Sequence, residues 1–401
     1  MAGHNHPQAP MAPMAAPLGI SDRRAGSGTS WLPDESPVRG GMRHVGPWML
    51  MAHGNLFLQY IESGSPRGDG QGGSINWLMG MAERDVAGGR LGLRGMMSFE
   101  PLTVGRCGYP NLLQTGESCR GEALHDRQHP HDLFMEAAVE YRRAMNETAA
   151  LGVYAGLAGE PALGPVAFPH RPSAFANPIA PITHHWLDAT HVSFGVVTGS
   201  VYSRRWKAEA SVFNGREPDD ARYDFDLGAL DSYSGRITWN PSSRWSMQFS
   251  SGRLTEAEVD HHGEATDATR TTASATYHRQ MGDTRWWTTT LAWGQNREDH
   301  GVSNAVLVES TRDLTARDAV FARGEITTKT SDELVLPGDD RHTLGKVQAG
   351  YVRRLGTGRG FQWSLGGAVG VGIVPAGLRD AYGSRAPGEL VVFATIAPVA
   401  R

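Results

Sequence analysis

The chain has 401 residues, a formal net charge of −4 and 40% hydrophobic residues, with 50 glycines, 11 tryptophans and two cysteines. It contains no run of about 18 apolar residues, which excludes a transmembrane helix but not a membrane crossed by short, half-apolar strands. The near-balanced charge gives no support to nucleic-acid binding.

Residues 1–47 are rich in Pro, Gly, Ala, Met and His. A flexible N-terminal segment is expected over 1–45, followed by one domain over 46–401. Met1–Pro47 lacks the charged-then-apolar pattern of a signal peptide, so a mature form or a displaced start is expected. The first strand candidate follows. Trp48, Leu50, Ala52, Leu56, Leu58 and Tyr60 share one face; His53, Asn55 and Gln59 share the other. A strand sends successive side chains to opposite faces, so this pattern reads as one oily and one polar surface. A Gly/Ser/Asp loop is expected over 63–73. Strands 74–84 and 90–100 come next, joined by the short turn 85–89.

A long loop over 101–132 carries Cys107 and Cys119 and the run His125-Asp126-Arg127-Gln128-His129-Pro130-His131-Asp132. The two cysteines read as a local disulfide of an oxidising compartment, with two free thiols as the alternative. The next strand sets Leu133, Met135, Ala137, Val139 and Tyr141 against Glu136, Glu140 and Arg142, and a turn near Asn146 leads to 151–158. A second long, Pro-dense loop, 159–188, holds His170, His184 and His185. It delivers the chain to a hairpin over 189–214, in which Trp206, Ala208, Ala210 and Val212 alternate with Arg205, Lys207, Glu209 and Ser211. Further strands are expected near 232–239, 245–250, 269–279, 286–295, 303–314, 318–329, 343–354, 361–373 and 388–399.

That makes sixteen strands, with fourteen as the alternative count. Short connections follow the even-numbered strands and longer ones the odd-numbered. This alternation defines an all-β, transmembrane, antiparallel up-and-down β-barrel with short periplasmic turns and long extracellular loops. A soluble sandwich has no reason to alternate so, and the turns lack the fixed motif of a β-solenoid.

Aromatic residues stand near strand ends: Trp48, Trp77, Tyr141, Trp206, Tyr233, Trp239, Trp245, Tyr277, Trp287, Trp293, Tyr351 and Trp363. With the hairpin pattern, they make residues 46–399 resemble a porin-like bacterial outer-membrane β-barrel. The stretches His125–Asp132, 160–165 and 184–188 resemble one group of such barrels from Gram-negative bacteria. The resemblance implies a fold, contact with outer-membrane lipid and, as in many porins, a homotrimer; it implies no activity. The chain departs from the usual aromatic finish, with Phe393 the last aromatic residue.

By parity His53, Arg90, Arg94, Glu136, Glu140, Arg142, His191, Arg205, Lys207, Glu209, Arg236, Arg270, His278, Arg323, Glu325 and Lys346 face the lumen. A barrel of this size is wide enough for an aqueous channel. Mixed Arg and Glu would then give modest selectivity, unless they pair across neighbouring strands and simply stabilise the wall. The expected function is a channel for passive or selective passage of small polar solutes or ions. Histidines supply a second reading. His125, His129, His131, His184 and His185, with Asp126, Asp132 and Asp188 nearby, suit copper or another divalent transition metal. His4, His6, Met11 and Met14 add a soft tail. The plainer alternative is polar packing between loops. A third reading, an envelope-lipid enzyme at the rim, draws on Ser173, His184, His185, Asp188, His191 and Ser193, but no nucleophile-elbow motif supports it.

Overall fold

A computed structural model describes residues 17–259, 265–299 and 301–400. After a short strand β1 (Gly41–Val45), the wall begins with β2 (Trp48–Gly64), β3 (Gly70–Val86) and β4 (Gly89–Met97). A separate hairpin, β5 (Tyr109–Cys119) and β6 (Glu122–Gln128), interrupts it. The wall resumes with β7 (Phe134–Ala144), β8 (Ala150–Gly159), β9 (Ser193–Tyr202), β10 (Trp206–Phe213), β11 (Ser232–Ser242) and β12 (Trp245–Val259). It ends with β13 (Ala265–Gln280), β14 (Trp286–Glu298), β15 (Gly301–Asp313), β16 (Asp318–Thr330), β17 (Arg341–Gly358), β18 (Phe361–Ile373) and β19 (Gly388–Pro398).

Each wall strand pairs antiparallel with its neighbours, and β19 pairs with β2 in the register Ile61↔Val391, closing a sixteen-stranded barrel. Closure has a physical cause. In hydrocarbon an unpaired backbone N–H or C=O costs several kcal/mol, so a sheet that spans lipid can have no free edge. The strands alternate as expected. Leu58, Tyr60, Leu78, Leu151, Tyr233, Ile237, Phe249, Leu291, Ile326 and Val369 are exposed on the outer surface, while Asn55, Gln59, Arg94, Ser234, Thr272 and Thr290 are buried inside. An exposed apolar surface this continuous has lipid as its solvent. At the short-turn end Trp245, Tyr277 and Trp287 pack on neighbouring strands, the first pair tilted with ring centroids 5.0 Å apart and the second edge to face at 5.6 Å. Such aromatic girdles belong at the interface of the membrane. The molecule is an outer-membrane β-barrel.

Two expectations at the outer end need correction. The Gly-rich stretch 70–73 is strand, pairing with residues 59–62 of β2, so the loop shrinks to Ser65–Asp69. Likewise β14 and β15 stay paired up to Glu298↔Gly301. Backbone ladders need no particular side chains once strands leave the lipid, so a polar, glycine-rich stretch can remain paired. Trp77 also departs from the aromatic belt: it lies on the inward face of β3 with Ile75 and Met79.

The barrel is filled from within by three segments. The first is the stretch from Pro17 to Gly40, where a flexible tail was expected over 1–45. Lys207 Nζ and Arg94 Nη1 donate to the carbonyls of Thr29 and Gly28. Arg236 reaches the Thr29 hydroxyl at 3.1 Å, Asn240 the Leu32 carbonyl at 2.9 Å and Ser246 the Trp31 carbonyl at 3.0 Å. Composition suggested a segment unable to bury apolar surface, but a polar lumen holds it by its backbone acceptors instead. The second is the β5–β6 hairpin, clipped by a Cys107–Cys119 disulfide (Cα–Cα 5.4 Å). The third is the loop 160–192. The lumen is also not uniformly polar: Phe57, Ile61, Ile75, Phe321 and Phe393 pack inside against Tyr109 of the hairpin and Ile179 of the loop.

Candidate functional site: the filled lumen and its buried histidines

Of the residues expected to line a pore, Arg90, Arg94, Glu136, Glu140, Lys207, Glu209, Arg236, Arg270, Arg323, Glu325 and Lys346 are buried inside the barrel, and Arg142 and His53 are partly buried there. His278 is also buried and bonds Thr288. Arg205 is not part of this set. It lies exposed in the turn before β10, because the strand starts one residue later than its alternation suggested. His191 is buried, but in a short 3-10 turn before β9 rather than on a strand.

These charges do not stand open to a wide channel. Arg94 meets Glu140 at 2.8 Å and Glu136 at 3.7 Å. Arg236 meets Glu209 at 3.0 Å, Arg323 meets Glu309 at 3.1 Å and Lys346 meets Glu389 at 2.8 Å. Arg270 donates to Asn296, and Glu325 accepts from the Thr183 hydroxyl. The same cations also hold the filling segments, since Arg323 donates to the Ile179 carbonyl and Lys346 to Asn111 of the hairpin. A buried charge needs a partner and further hydrogen bonds to offset its desolvation, and here both come from across the lumen. Glu83, Glu309 and Glu389 complete this scheme but were not singled out in the sequence. Inward parity on their strands was the signal available for them.

The loop histidines come together. His131 Nδ1 lies 2.9 Å from Glu100 Oε2, and its Nε2 faces His191 Nε2 at 3.1 Å. His191 Nδ1 lies 2.7 Å from the Asp188 carbonyl, and His184 Nδ1 2.9 Å from Asp188 Oδ1. His129 and His185 join the group, with ring centroids 6.5 and 5.4 Å from His184. Gly116, at φ +102°, makes room for His185: a Cβ there would stand 2.3 Å from the ring. His125 stays apart, half-exposed against Asp126 at 3.0 Å. His4, His6, Met11 and Met14 fall outside the described residues. Phe168 packs among the rings, 5.8 Å from His131 and 5.2 Å from His184.

Asp188 organises the cluster. Its other carboxylate oxygen accepts from Arg171 and from the Phe168 amide, each at 2.7 Å. Burial pushes this carboxyl up, but Arg171 and His184 outweigh it and hold it well below the usual carboxylate range. Burial likewise lowers His184 to about 4, against the pull of Asp188. It drives His191 well below its ordinary value, helped by His131. His184 and His191 are therefore neutral at pH 7. Three of them have one ring nitrogen fixed by an oxygen, the arrangement that orients metal-binding imidazoles. Even so, among the described residues only Asp219, Asp224 and Asp226 place three His, Cys, Asp or Glu ligand atoms within 4.8 Å. The catalytic candidates form no relay: Ser173 bonds Thr290 and Glu309, and Ser193 donates to the Thr190 carbonyl.

Solved structures with the same architecture are porins. OmpF of Salmonella typhi aligns over 89% of this chain and 100% of its own, at 8% identity and a TM-score of 0.53. An anion-selective porin of Comamonas acidovorans aligns over 87% and 99%, at 11% identity and 0.52. OprB of Pseudomonas putida aligns over 87% and 94%, at 10% identity and 0.50. No protein-family model and no curated protein matches the chain. At these identities the likeness establishes the fold: a sixteen-stranded outer-membrane barrel of porin architecture.

Proposed function

We propose that this barrel is a selective outer-membrane channel for small ions or polar solutes, with a narrow passage rather than a wide diffusion pore. The observation that carries this reading is the filling of the lumen by three inward segments, each tied to wall residues by hydrogen bonds. A passage that runs between packed segments admits only small species, and its selectivity comes from the few polar groups left along it. Planar-bilayer recording of the purified protein checks this. Small, ion-selective conductance steps are expected; traces that never exceed a protein-free bilayer would remove the channel.

The anchored histidines favour a second reading, in which a borderline divalent ion such as Cu(II) or Zn(II) binds at the mouth side of the lumen. A modest rotation of His129 or His185 toward the His131–His191 pair would complete a ligand set. Calorimetric titration with Zn(II) and Cu(II) tests it. Binding should be lost in the His131→Gln, His184→Gln, His185→Gln triple variant, and equal binding by that variant would eliminate the cluster.

A further inference from the structure

A second group of ligand atoms lies deeper in the barrel, toward the short-turn end. On β2 the inward positions run Met49, Met51, His53; on β3 they run Met79, Met81. The register places them opposite one another, with His53 paired to Met79 and Met51 to Met81. His53 Nε2 lies 3.0 Å from Met79 Sδ, its one side-chain contact at hydrogen-bonding distance among the described residues. His170 descends from the loop 160–192 to close the group, its ring 5.8 Å from His53 and 4.8 Å from Trp77. Among the described residues no hydrogen bond reaches the His170 ring, which leaves its nitrogens available as donors to an ion.

The plain explanation would be methionine as core filler, with an N–H···S contact from His53. Two facts argue against it. Met79 packs on one side against Met96, Met135, Val192 and Phe194, with Met81 beside them, but the same row also lines a cavity of about 180 Å³ that Arg94, Glu140 and Lys207 border. That space exceeds what a single water needs. Elsewhere the inward wall positions are mostly Arg, Glu, Ser, Thr or aromatic, whereas buried and half-buried methionines gather on the adjoining strands β2, β3, β4 and β7. Of the cations that border the cavity, Arg94 pairs with Glu140, Arg142 with Glu83, Arg24 with Asp34 and Lys207 with Glu209, and Arg23 and Arg39 also stand on its lining. The cavity thus offers uncharged, polarisable sulfur and imidazole donors.

We infer that the methionine and histidine face of β2 and β3, closed by His170, is a binding site for a soft monovalent cation of the Cu⁺ or Ag⁺ class. Thioethers bind hard ions such as Na⁺, Mg²⁺ or Ca²⁺ poorly and compete weakly for Zn²⁺, whereas thioether and imidazole together suit a soft d¹⁰ ion. The site shares no residue with the histidine cluster around Asp188, so the two stand or fall separately. If both hold, a cation crossing the barrel would pass from nitrogen ligands near the mouth to sulfur ligands near the short turns.

The test uses the full chain folded in detergent, titrated anaerobically with Cu⁺ against a coloured Cu⁺ chelator, and in parallel with Zn²⁺. The Met51→Leu, Met79→Leu, Met81→Leu variant keeps side-chain volume and removes the sulfurs. It should bind Cu⁺ more weakly by about 100-fold or more, the upper range for disturbing a metal site. Its Zn²⁺ binding should stay unchanged. The His131→Gln, His184→Gln variant should keep wild-type Cu⁺ affinity. Equal Cu⁺ affinity in the leucine variant, or no Cu⁺ binding by the wild type, overturns the site. Copper-edge X-ray absorption of the wild-type protein decides the matter without any variant: sulfur scatterers support the site, and a shell of nitrogen and oxygen alone overturns it.

Discussion

Asp188 is where the filling loop, the wall and the histidines meet. It accepts from Arg171 and lies against His184, while Arg171 also bonds Glu309 of β15 at 2.7 Å. Asp188→Asn leaves the Arg171 guanidinium with one carboxylate in place of two, in a fully buried position. Breaking a buried pair from one side costs about 3–5 kcal/mol. That loss should appear as faster amide exchange across 160–192, with wall strands unaffected; uniform protection would refute the role given to Asp188. Acid should act on the same loop. His184 and His170 are lowered from 6.5 to about 4 and about 3, so the unfolded loop takes up protons more readily than the folded one. Their stabilising effect is complete above pH 6.5 and declines as pH falls toward 4, by about 1.4 kcal/mol per pH unit for each histidine. Amide protection across 160–192, taken relative to the intrinsic exchange rate at each pH, should therefore fall between pH 7 and pH 5, and an unchanged protection factor would contradict the buried neutral histidines. The sequence did reveal that histidines crowd these loops. It did not reveal Arg171 or Glu309, whose contact spans 138 positions and leaves no local pattern.

At the scale of elements, the lipid explains what could be read. A strand in hydrocarbon must alternate, so all sixteen wall strands left a period-two trace between residues 48 and 398. The β5–β6 hairpin leaves none, and its sequence predicts only a loop over 101–132. Its register shifts between Pro110 and Thr115 and again before Ser118, and Leu113 and Gly116 have φ of 70° and 102°. Both faces of β5 are buried in the lumen from Tyr109 to Thr115, so no polar–apolar alternation is required there. The disulfide was legible because short spacing alone brought the cysteines together. Cys107→Ser should weaken the hairpin by about 3 kcal/mol, the loop-closure contribution expected for a bridge of this span. Limited proteolysis should then cut within 101–132 while the wall resists. Cleavage no faster than in the oxidised wild type would place the anchoring instead in Lys329, which donates to the Leu113 carbonyl and Thr115 hydroxyl.

For the whole molecule the decisive contrast is between wall and filling. The wall is closed by β19 against β2, and the stretch from Pro17 to Gly40 adds one bridge to its ladder, Arg39↔Ala400. The filling depends on the wall, because Arg94, Lys207 and Arg236 spend donors on the backbone or hydroxyls of residues 28–29. Removing residues 1–40 should therefore leave a folded barrel. The three cations would keep Glu140, Glu136 and Glu209 as partners and gain water on the side the segment leaves. The cavity of about 180 Å³ between that segment and β2–β3 would open to the short-turn end. Single-channel conductance should rise several-fold over the full chain, with weaker ion selectivity, since newly hydrated Arg and Glu side chains are screened within about 10 Å at 0.1 M salt. Conductance that does not change on deletion would locate the constriction in the loop 160–192, where Arg171, Asp188 and Glu309 fix the chain across the lumen. The Asp188→Asn variant would then be the one to conduct more.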